Sequence, residues 1–222
     1  MNVSYENINK GDSASHEKVQ NEGSVDFYEK FANGEEKCIN DELPFEIPSS
    51  WEWVRLGNVC KKLVDGSHNP PKGEKEKTEY IMASSTNINN NSLVYLDKVR
   101  YLSKENFLKE NERTRIEKGD IFFTSVGSIG RSCIFDGLIN ICFQRSVSII
   151  STLIFNKYLK YFFDSEYFQY KTKVEANGTA QKGFYLNQLS KSLIPLPPLE
   201  EQKRIVAKIE ELFKIIEPLT EK

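Results

Sequence analysis

A chain of 222 residues with 39% apolar and 12% aromatic side chains can bury a moderate core, which excludes a wholly disordered polypeptide. Its apolar-rich stretches, such as Ile139 to Phe143, fall far short of the roughly 20 residues a bilayer span needs, and no basic start leads into an apolar block, so a soluble, cytoplasmic protein with no membrane partner is expected. The net charge of −2 excludes a plain polycation, while Cys38, Cys60, Cys133 and Cys142 form no C-x-x-C pair and, with only His16 and His68 beside them, permit no zinc spacing, so no metal is expected and the thiols suit a reducing compartment.

The charges are unevenly placed. Residues 1–42 carry 4 basic and 10 acidic side chains, residues 43–198 carry 21 and 16, and residues 199–222 carry 5 and 6. The central body is therefore mildly basic, which permits a polyanionic partner without demanding one.

The first stretch, residues 1–26, is rich in Asn, Ser, Glu, Lys and Gly and reads as a polar, flexible tail. Residues 27–42 hold Asn33-Gly34 between alternating segments from Tyr28 to Ile39, the pattern of a hairpin. Pro44 and Pro48 bracket Phe45 to Ile47, and Trp51 to Gly57 opens the globular body with aromatics on alternating positions.

Short strands are predicted over Val59–Val64, Tyr80–Ala83, Leu93–Leu96, Asp120–Ser125, Ser132–Phe135 and Ser146–Ile150. Helices are predicted over Ser103–Glu110, Asn156–Lys173 and Leu186–Lys191, with Ser103 capping Asn106 and Asn156 capping Leu159. Tyr158, Tyr161, Phe162, Phe163, Tyr167, Phe168 and Tyr170 crowd the second of these; at helical spacing they read as core rather than as a platform for unpaired bases.

Asn69-Pro70-Pro71 is followed by Lys72, not by the aromatic that stacks on a target base in amino-methyltransferases, and no glycine-rich turn is present to cradle S-adenosylmethionine. Neither methyltransferase activity nor a cofactor is expected. The basic positions Lys72, Lys75 and Lys77 alternate with Glu74 and Glu76, so this loop reads first as a solvated surface; its lysines would position a phosphate backbone rather than read sequence.

Gly127 and Gly130 allow a tight turn after a strand, which either only reverses the chain or also presents Ser125, Ser128 and Arg131 together. Asn177 to Gly183 offers a second glycine-bounded loop. It is either a solvated connection or a contact in which Gln181 suits an adenine edge and Lys182 a phosphate or guanine.

The last segment is the most distinctive. Pro195, Pro197 and Pro198 fix φ and remove donors, so Leu193 to Pro198 is extended and a helix starts near Leu199 with Glu200 and Glu201 in its first turn. Ile205, Ile209, Leu212, Ile216 and Leu219 then recur at coiled-coil seam spacing, widened by Val206 and Phe213, with Pro218 straining the last turn. The fold class is mixed α+β with a protruding C-terminal amphipathic helix.

The wording of several stretches resembles the specificity subunits of type I restriction-modification systems. They are L-P-F-E-I-P-x-S-W-E-W-V-R-L-G at Leu43–Gly57, D-G-S-H-N-P-P-K at Asp65–Lys72 and Y-I-M-x-S-S-x-N-I at Tyr80–Ile88. K-G-D-I-F-F-T-x-x-G-S-I-G-R at Lys118–Arg131, F-Q-R-S-V at Phe143–Val147, the Asn177–Gly183 loop and I-P-L-P-P-L-x-E-Q at Ile194–Gln202 complete the set.

The resemblance implies a target-recognition domain over residues 43–198 that binds duplex DNA and reads one half of a split site, without catalysis of its own. Residues 199–222 would begin the conserved helix that docks methylase subunits and, through them, the restriction subunit. DNA-binding candidates are Lys72, Lys75, Lys77, Ser125, Ser128, Arg131, Arg145, Gln181 and Lys182; subunit-interface candidates are Ile205, Ile209, Leu212, Phe213, Ile216 and Leu219. One recognition domain and a short helix imply a half-length or truncated subunit, which would pair with a second copy or another half-subunit to make a two-part reader. The alternative is an assembly module that binds methylase subunits without reading DNA.

Overall fold

The computed structural model describes residues 15–21, 24–178 and 182–220. In chain order its elements begin with β1 (Ser15–Asn21), β2 (Ser24–Lys30), β3 (Glu36–Cys38), β4 (Glu52–Arg55), β5 (Cys60–Asp65), β6 (Tyr80–Ala83), β7 (Ile88–Asn89), β8 (Ser92–Leu93) and β9 (Arg100–Leu102). There follow α1 (Lys104–Thr114), β10 (Ile121–Thr124), β11 (Ser132–Ile134), β12 (Asn140–Phe143), β13 (Val147–Thr152), α2 (Asn156–Asp164), α3 (Glu166–Val174), α4 (Leu186–Lys191), β14 (Leu193–Leu196) and α5 (Leu199–Thr220). This is the expected α+β class, ending in the expected helix. The chain divides into two compact units, one formed by the described parts of Met1–Cys60 with Ser190–Lys222 and the other by Lys61–Leu189.

In the first unit, β2 and β3 pair across the Asn33-Gly34 turn, Tyr28 opposite Cys38, with Gly34 at φ +86 where only a glycine is unstrained. Strand β1 extends this hairpin to three strands, pairing Ser15 with Lys30 through Asn21 with Ser24. The flexible tail expected over residues 1–26 thus gives way to a strand from Ser15; residues 1–14 and 22–23 of it lie outside the described residues. The expectation missed that half-buried His16 and Lys18 alternate with exposed Ser15, Glu17 and Val19, a period of two that a partner strand can pair.

Strand β14 lies antiparallel to β4, Pro195 opposite Trp53, in a two-stranded ladder where a residue without an N–H is tolerated. Phe27, Ile39, Trp53 and Leu193 make the core here, with Leu43 and Ile47 packed against it and Phe45 edge-on to Trp53 at 5.0 Å. Because β4 and β14 pair across about 140 residues of chain, the compact grouping differs from the segments 27–42, 43–198 and 199–222 read along the sequence.

Arg55 ties the unit together. Its Nε and Nη2 donate to the two carboxylate oxygens of Glu29 at 2.6 and 3.0 Å, Nη2 also to Glu42 at 2.7 Å, and Nη1 to the carbonyl of Lys191 at 2.9 Å. Burial by itself would raise the Glu29 pKa, but the contacts from His16, 3.3 Å away, and Arg55 carry it down to about 2.

The second unit holds a four-stranded sheet, order β11-β10-β13-β5, and a three-stranded one, order β12-β6-β9, in which β12 and β6 run parallel. Their apolar faces share a core of Ile81, Ile88, Phe122, Phe135, Phe143 and Ile149 among others. Phe123 points the other way and packs on Phe163, Phe168 and Phe184 with ring centroids 5.2, 6.1 and 6.4 Å away. The crowded aromatic segment is therefore chiefly core, as its spacing implies.

Two helical expectations need correction. The stretch 156–173 is two helices, broken at Ser165, whose Oγ donates to the Phe162 carbonyl at 2.6 Å and accepts from the Phe168 N–H at 3.3 Å. Asn156 does not cap Leu159; Phe155 occupies the cap position, and the Asn156 amide donates to the Gly119 carbonyl at 3.1 Å instead. The Ser103 cap does form, accepting from Asn106 N–H at 3.3 Å.

Candidate nucleic-acid interface

The chain leaves β5, β6, β10 and β12 of the second unit at one common edge, and the loops that follow are bonded to one another. Their hub is the turn Gln144 to Ser146 between β12 and β13. The Ser146 carbonyl accepts from the N–H of Ser125 at 2.9 Å and of Val126 at 3.3 Å, and its hydroxyl accepts from the N–H of Ser85 at 3.1 Å.

On the other side of the hub, Ser67 donates its N–H to Phe143 at 2.7 Å and accepts from Arg145 N–H at 2.9 Å, while Gly66 N–H reaches Val147 at 2.9 Å. A Cβ at Gly66 would lie 2.3 Å from the carbonyl oxygens of Phe143 and Gln144, so the approach admits only glycine. Arg113 buttresses this loop from α1, donating to the carbonyls of Asp65 at 2.6 Å and Gly66 at 2.7 Å, and Asp65 in turn holds His68 at 2.5 Å.

The turn after β10 is wound tightly on Thr124. The Thr124 hydroxyl accepts from Arg131 N–H at 2.9 Å and bonds the Ser128 carbonyl, and Gly130 N–H reaches the Thr124 carbonyl at 3.0 Å. Gly127 and Gly130 sit at φ +83 and +93, and Gln169 donates to the Gly130 carbonyl at 2.8 Å. The loop from Asn177 joins the same edge: Gly183 bridges Val126, and Phe184 N–H reaches the Ser125 carbonyl at 2.8 Å.

The stretches at Asp65–Lys72, Tyr80–Ile88, Lys118–Arg131 and Phe143–Val147, with Asn177 and Gly183 of the last loop, are far apart in sequence and are thus connected at one edge. On it Arg131, Arg145 and Lys182 are exposed, and among the described residues no side-chain hydrogen bond or ion pair engages them. Ser128 is half-buried on the same turn.

Ser125 does not stand there as expected. It is buried, and its hydroxyl lies 2.6 Å from that of Ser148, because the residue directly after β10 is still held on both sides, its N–H by the Ser146 carbonyl and its carbonyl by the Phe184 N–H. Lys72, Lys75 and Lys77 occupy the adjoining loop, exposed together with Glu74 and Glu76. That loop is strapped to β9 by Arg100 Nη1 to Pro71 carbonyl at 2.7 Å and Glu74 N–H to Tyr101 carbonyl at 2.8 Å. Gln181 lies outside the described residues. Sequence reasoning passed over Ser146, Thr124 and Arg113, because their roles depend on which loops meet them. It also passed over the run Asn89-Asn90-Asn91-Ser92, whose two-residue turn between β7 and β8 was legible as an amide-rich turn signal.

In the first unit, helix α5 has two different halves. Gln202 and Val206 are buried, Gln202 donating to the Pro197 carbonyl at 2.8 Å, and Ile205 and Ile209 are half-buried. Beyond residue 210 nothing described is buried: Leu212, Ile215 and Ile216 are 45%, 59% and 49% exposed, and Phe213 is exposed beside them. The Leu219 side chain lies outside the described ones. Among the described residues no group of three or more His, Cys, Asp or Glu is placed to hold a metal ion, and no helix is long and apolar enough to cross a membrane.

A family model described as type I restriction modification DNA specificity domain matches residues 48–222. The chain is 31% identical over 179 residues to the type I restriction enzyme EcoBI specificity subunit of Escherichia coli, covering 78% of this chain and 37% of that protein. It is 36% identical over 126 residues to a putative type I restriction enzyme specificity subunit of Haemophilus influenzae, covering 54% and 31%. Among solved structures, the HsdS subunit from Thermoanaerobacter tengcongensis shares the fold with a TM-score of 0.59 at 22% identity, over 80% of this chain and 46% of that one. The chain therefore spans less than half the length of each of these relatives.

Proposed function

Since the chain belongs to the family of type I restriction modification DNA specificity domains, we propose that its second unit is a reader of duplex DNA, addressing one half of a split site and performing no catalysis itself. The observation that supports this reading is the bonded edge of loops carrying Arg131, Arg145 and Lys182, whose side chains have no partner among the described residues. Cations held on rigid loops and left unpaired suit phosphate oxygens, and the half-buried Ser128 adds a short hydroxyl beside Arg131. Lys72, Lys75 and Lys77 on the adjoining loop flank this core of the contact, and Gln181, outside the described residues, is a further candidate. Binding would release condensed counterions, so affinity should fall steeply with salt.

Titration of a labelled duplex over rising salt tests this. The wild-type chain should give a steep negative slope of log affinity against log salt, and Arg131→Ala and Arg145→Ala should each flatten it by about one. Affinity constant across that range would refute the reading.

A second function rests on α5. The exposed residues Leu212, Ile215 and Ile216 give the distal half an apolar face that its own unit leaves uncovered, and it docks a methylase subunit, through it the restriction subunit, or a second half-subunit. In this reading Ile205 and Ile209 border the contact, Leu212, Phe213 and Ile216 form its centre and Leu219 continues it. Such work places the protein in the cytoplasm with the chromosome. Co-expression with the cognate methylase subunit, followed by mapping of methylated adenines, should return a split motif; an unmethylated genome would count against the assembled reader.

A further inference from the structure

Between β6 and β9 the chain makes a hairpin so short that only Ile88 pairs with Leu93 and Asn89 with Ser92. A two-stranded element of this size has no stability of its own, yet it is held from three sides. Ile88 is fully buried in the core of the second unit, with Leu93 packed against it. Asn91 N–H donates to the Ser132 carbonyl at 3.1 Å, fastening the tip to the first residue of β11. The buried Asn87 spans the base: its carbonyl accepts from Val94 N–H at 2.9 Å, and its amide donates to the carbonyls of Val94 and Tyr95, both at 3.2 Å.

What this anchoring presents is chemically uniform. Asn89, Asn90, Asn91 and Ser92 are all exposed, three carboxamides and a hydroxyl on a rigid tip. Asn91 sits at φ +71 and Tyr95, 65% exposed, at φ +54. For a bulky aromatic the left-handed region is an outlier, sustained here by the Asn87 bonds, and such strain clusters where a loop must keep one shape. Ser132, which holds the tip, follows Arg131 directly, and Ser85, three residues before Ile88, lies where a Cβ on Gly127 would meet its Oγ at 3.1 Å. The finger and the cationic turn are thus parts of one surface.

We propose that the hairpin Ile88–Leu93 is a base-reading finger, its exposed amides Asn89, Asn90 and Asn91 addressing adenine edges in the major groove while Arg131 at its side holds the phosphate backbone. A carboxamide offers one donor and one acceptor in the spacing of adenine N7 and N6, and no other uncharged side chain except Gln does so. A pinned tip loses little conformational entropy on binding, which favours discrimination between bases over mere affinity. The inference rests on the DNA-reading function proposed above.

Selection of bound duplexes from a random pool by the full chain tests it. The variant Asn89→Ala, Asn90→Ala, Asn91→Gly removes the three amides and keeps a residue at ease with φ +71. It should lose preference at one or more adenine positions of the wild-type motif while its affinity for bulk duplex changes by less than about threefold. Asn90→Asp, which turns a donor and acceptor into an acceptor alone, should move preference at its position toward cytosine. Arg131→Ala should weaken all sequences alike and leave the motif unchanged. If the triple variant, melting within a few degrees of wild type, selects the wild-type motif, the finger does not read bases and the DNA-reading function survives. If the wild-type chain enriches no motif, finger and reader both fall.

Discussion

Glu29 shows how one buried carboxylate sets an acid limit for the first unit. Its folded pKa of about 2 lies below the ordinary 4.5, so the stabilisation from Arg55 and His16 is complete above about 4.5 and is lost as pH falls from there toward 2. Thermal melts over that pH window should show stability falling more steeply in wild type than in Glu29→Gln, which starts lower because the Arg55 guanidinium loses one of its two carboxylate partners and keeps a residual acid dependence from Glu42. Cysteine reactivity separates as clearly. Burial pushes the thiols of Cys60, Cys133 and Cys142 up to about 12, whereas Cys38 is exposed on β3. Native-state alkylation should therefore add one label, at Cys38; labelling of all four without unfolding would contradict the packing. At Gly66 the constraint is steric, and Gly66→Ala should destabilise by at least about 2 kcal/mol, read as a lowered denaturant midpoint.

At the scale of the element, α2, α3 and α5 show where periodicity succeeds and where it stops. The aromatic spacing over 156–173 identifies helix and core, but the break at Ser165 depends on a hydroxyl that serves two helices at once. Ser165→Ala should cost about 1 kcal/mol, and Ser165→Asp should recover only part of it, because a carboxylate can accept from the Phe168 N–H but cannot donate to the Phe162 carbonyl. In α5 the seam spacing groups Ile205, Ile209, Leu212 and Ile216 as one stripe, yet the helix is anchored by Gln202 and Val206 and uncovered beyond residue 210. A 3.6-residue repeat turns slowly against a seven-residue pattern, and the repeat carries no information on where the supporting unit ends. Val206→Asp should therefore lower the melting temperature sharply. Leu212→Asp with Ile216→Asp should leave melting unchanged while abolishing pull-down of a methylase subunit, and an unaffected pull-down would remove α5 as the dock.

For the whole molecule, the proposed reading and docking functions would draw on residues of different compact units. Arg131→Ala with Arg145→Ala should weaken duplex binding and spare methylase pull-down, and the Leu212 and Ile216 pair should do the reverse; joint loss in either variant would mean the functions are not separable. The sequence by itself determined the α+β class, the terminal helix from Leu199, the Asn33-Gly34 hairpin, most strands within two residues and the family, because local periodicity, proline, glycine and short motifs are local properties of the chain. Only the tertiary structure decided that β1 completes a sheet, that β4 pairs with β14, that Ser125 is buried, that five separate loops share one edge and that an unremarked asparagine run is clamped beside Arg131. Each of these depends on which distant segments meet, and backbone hydrogen bonds between segments far apart leave no mark in either one's own sequence.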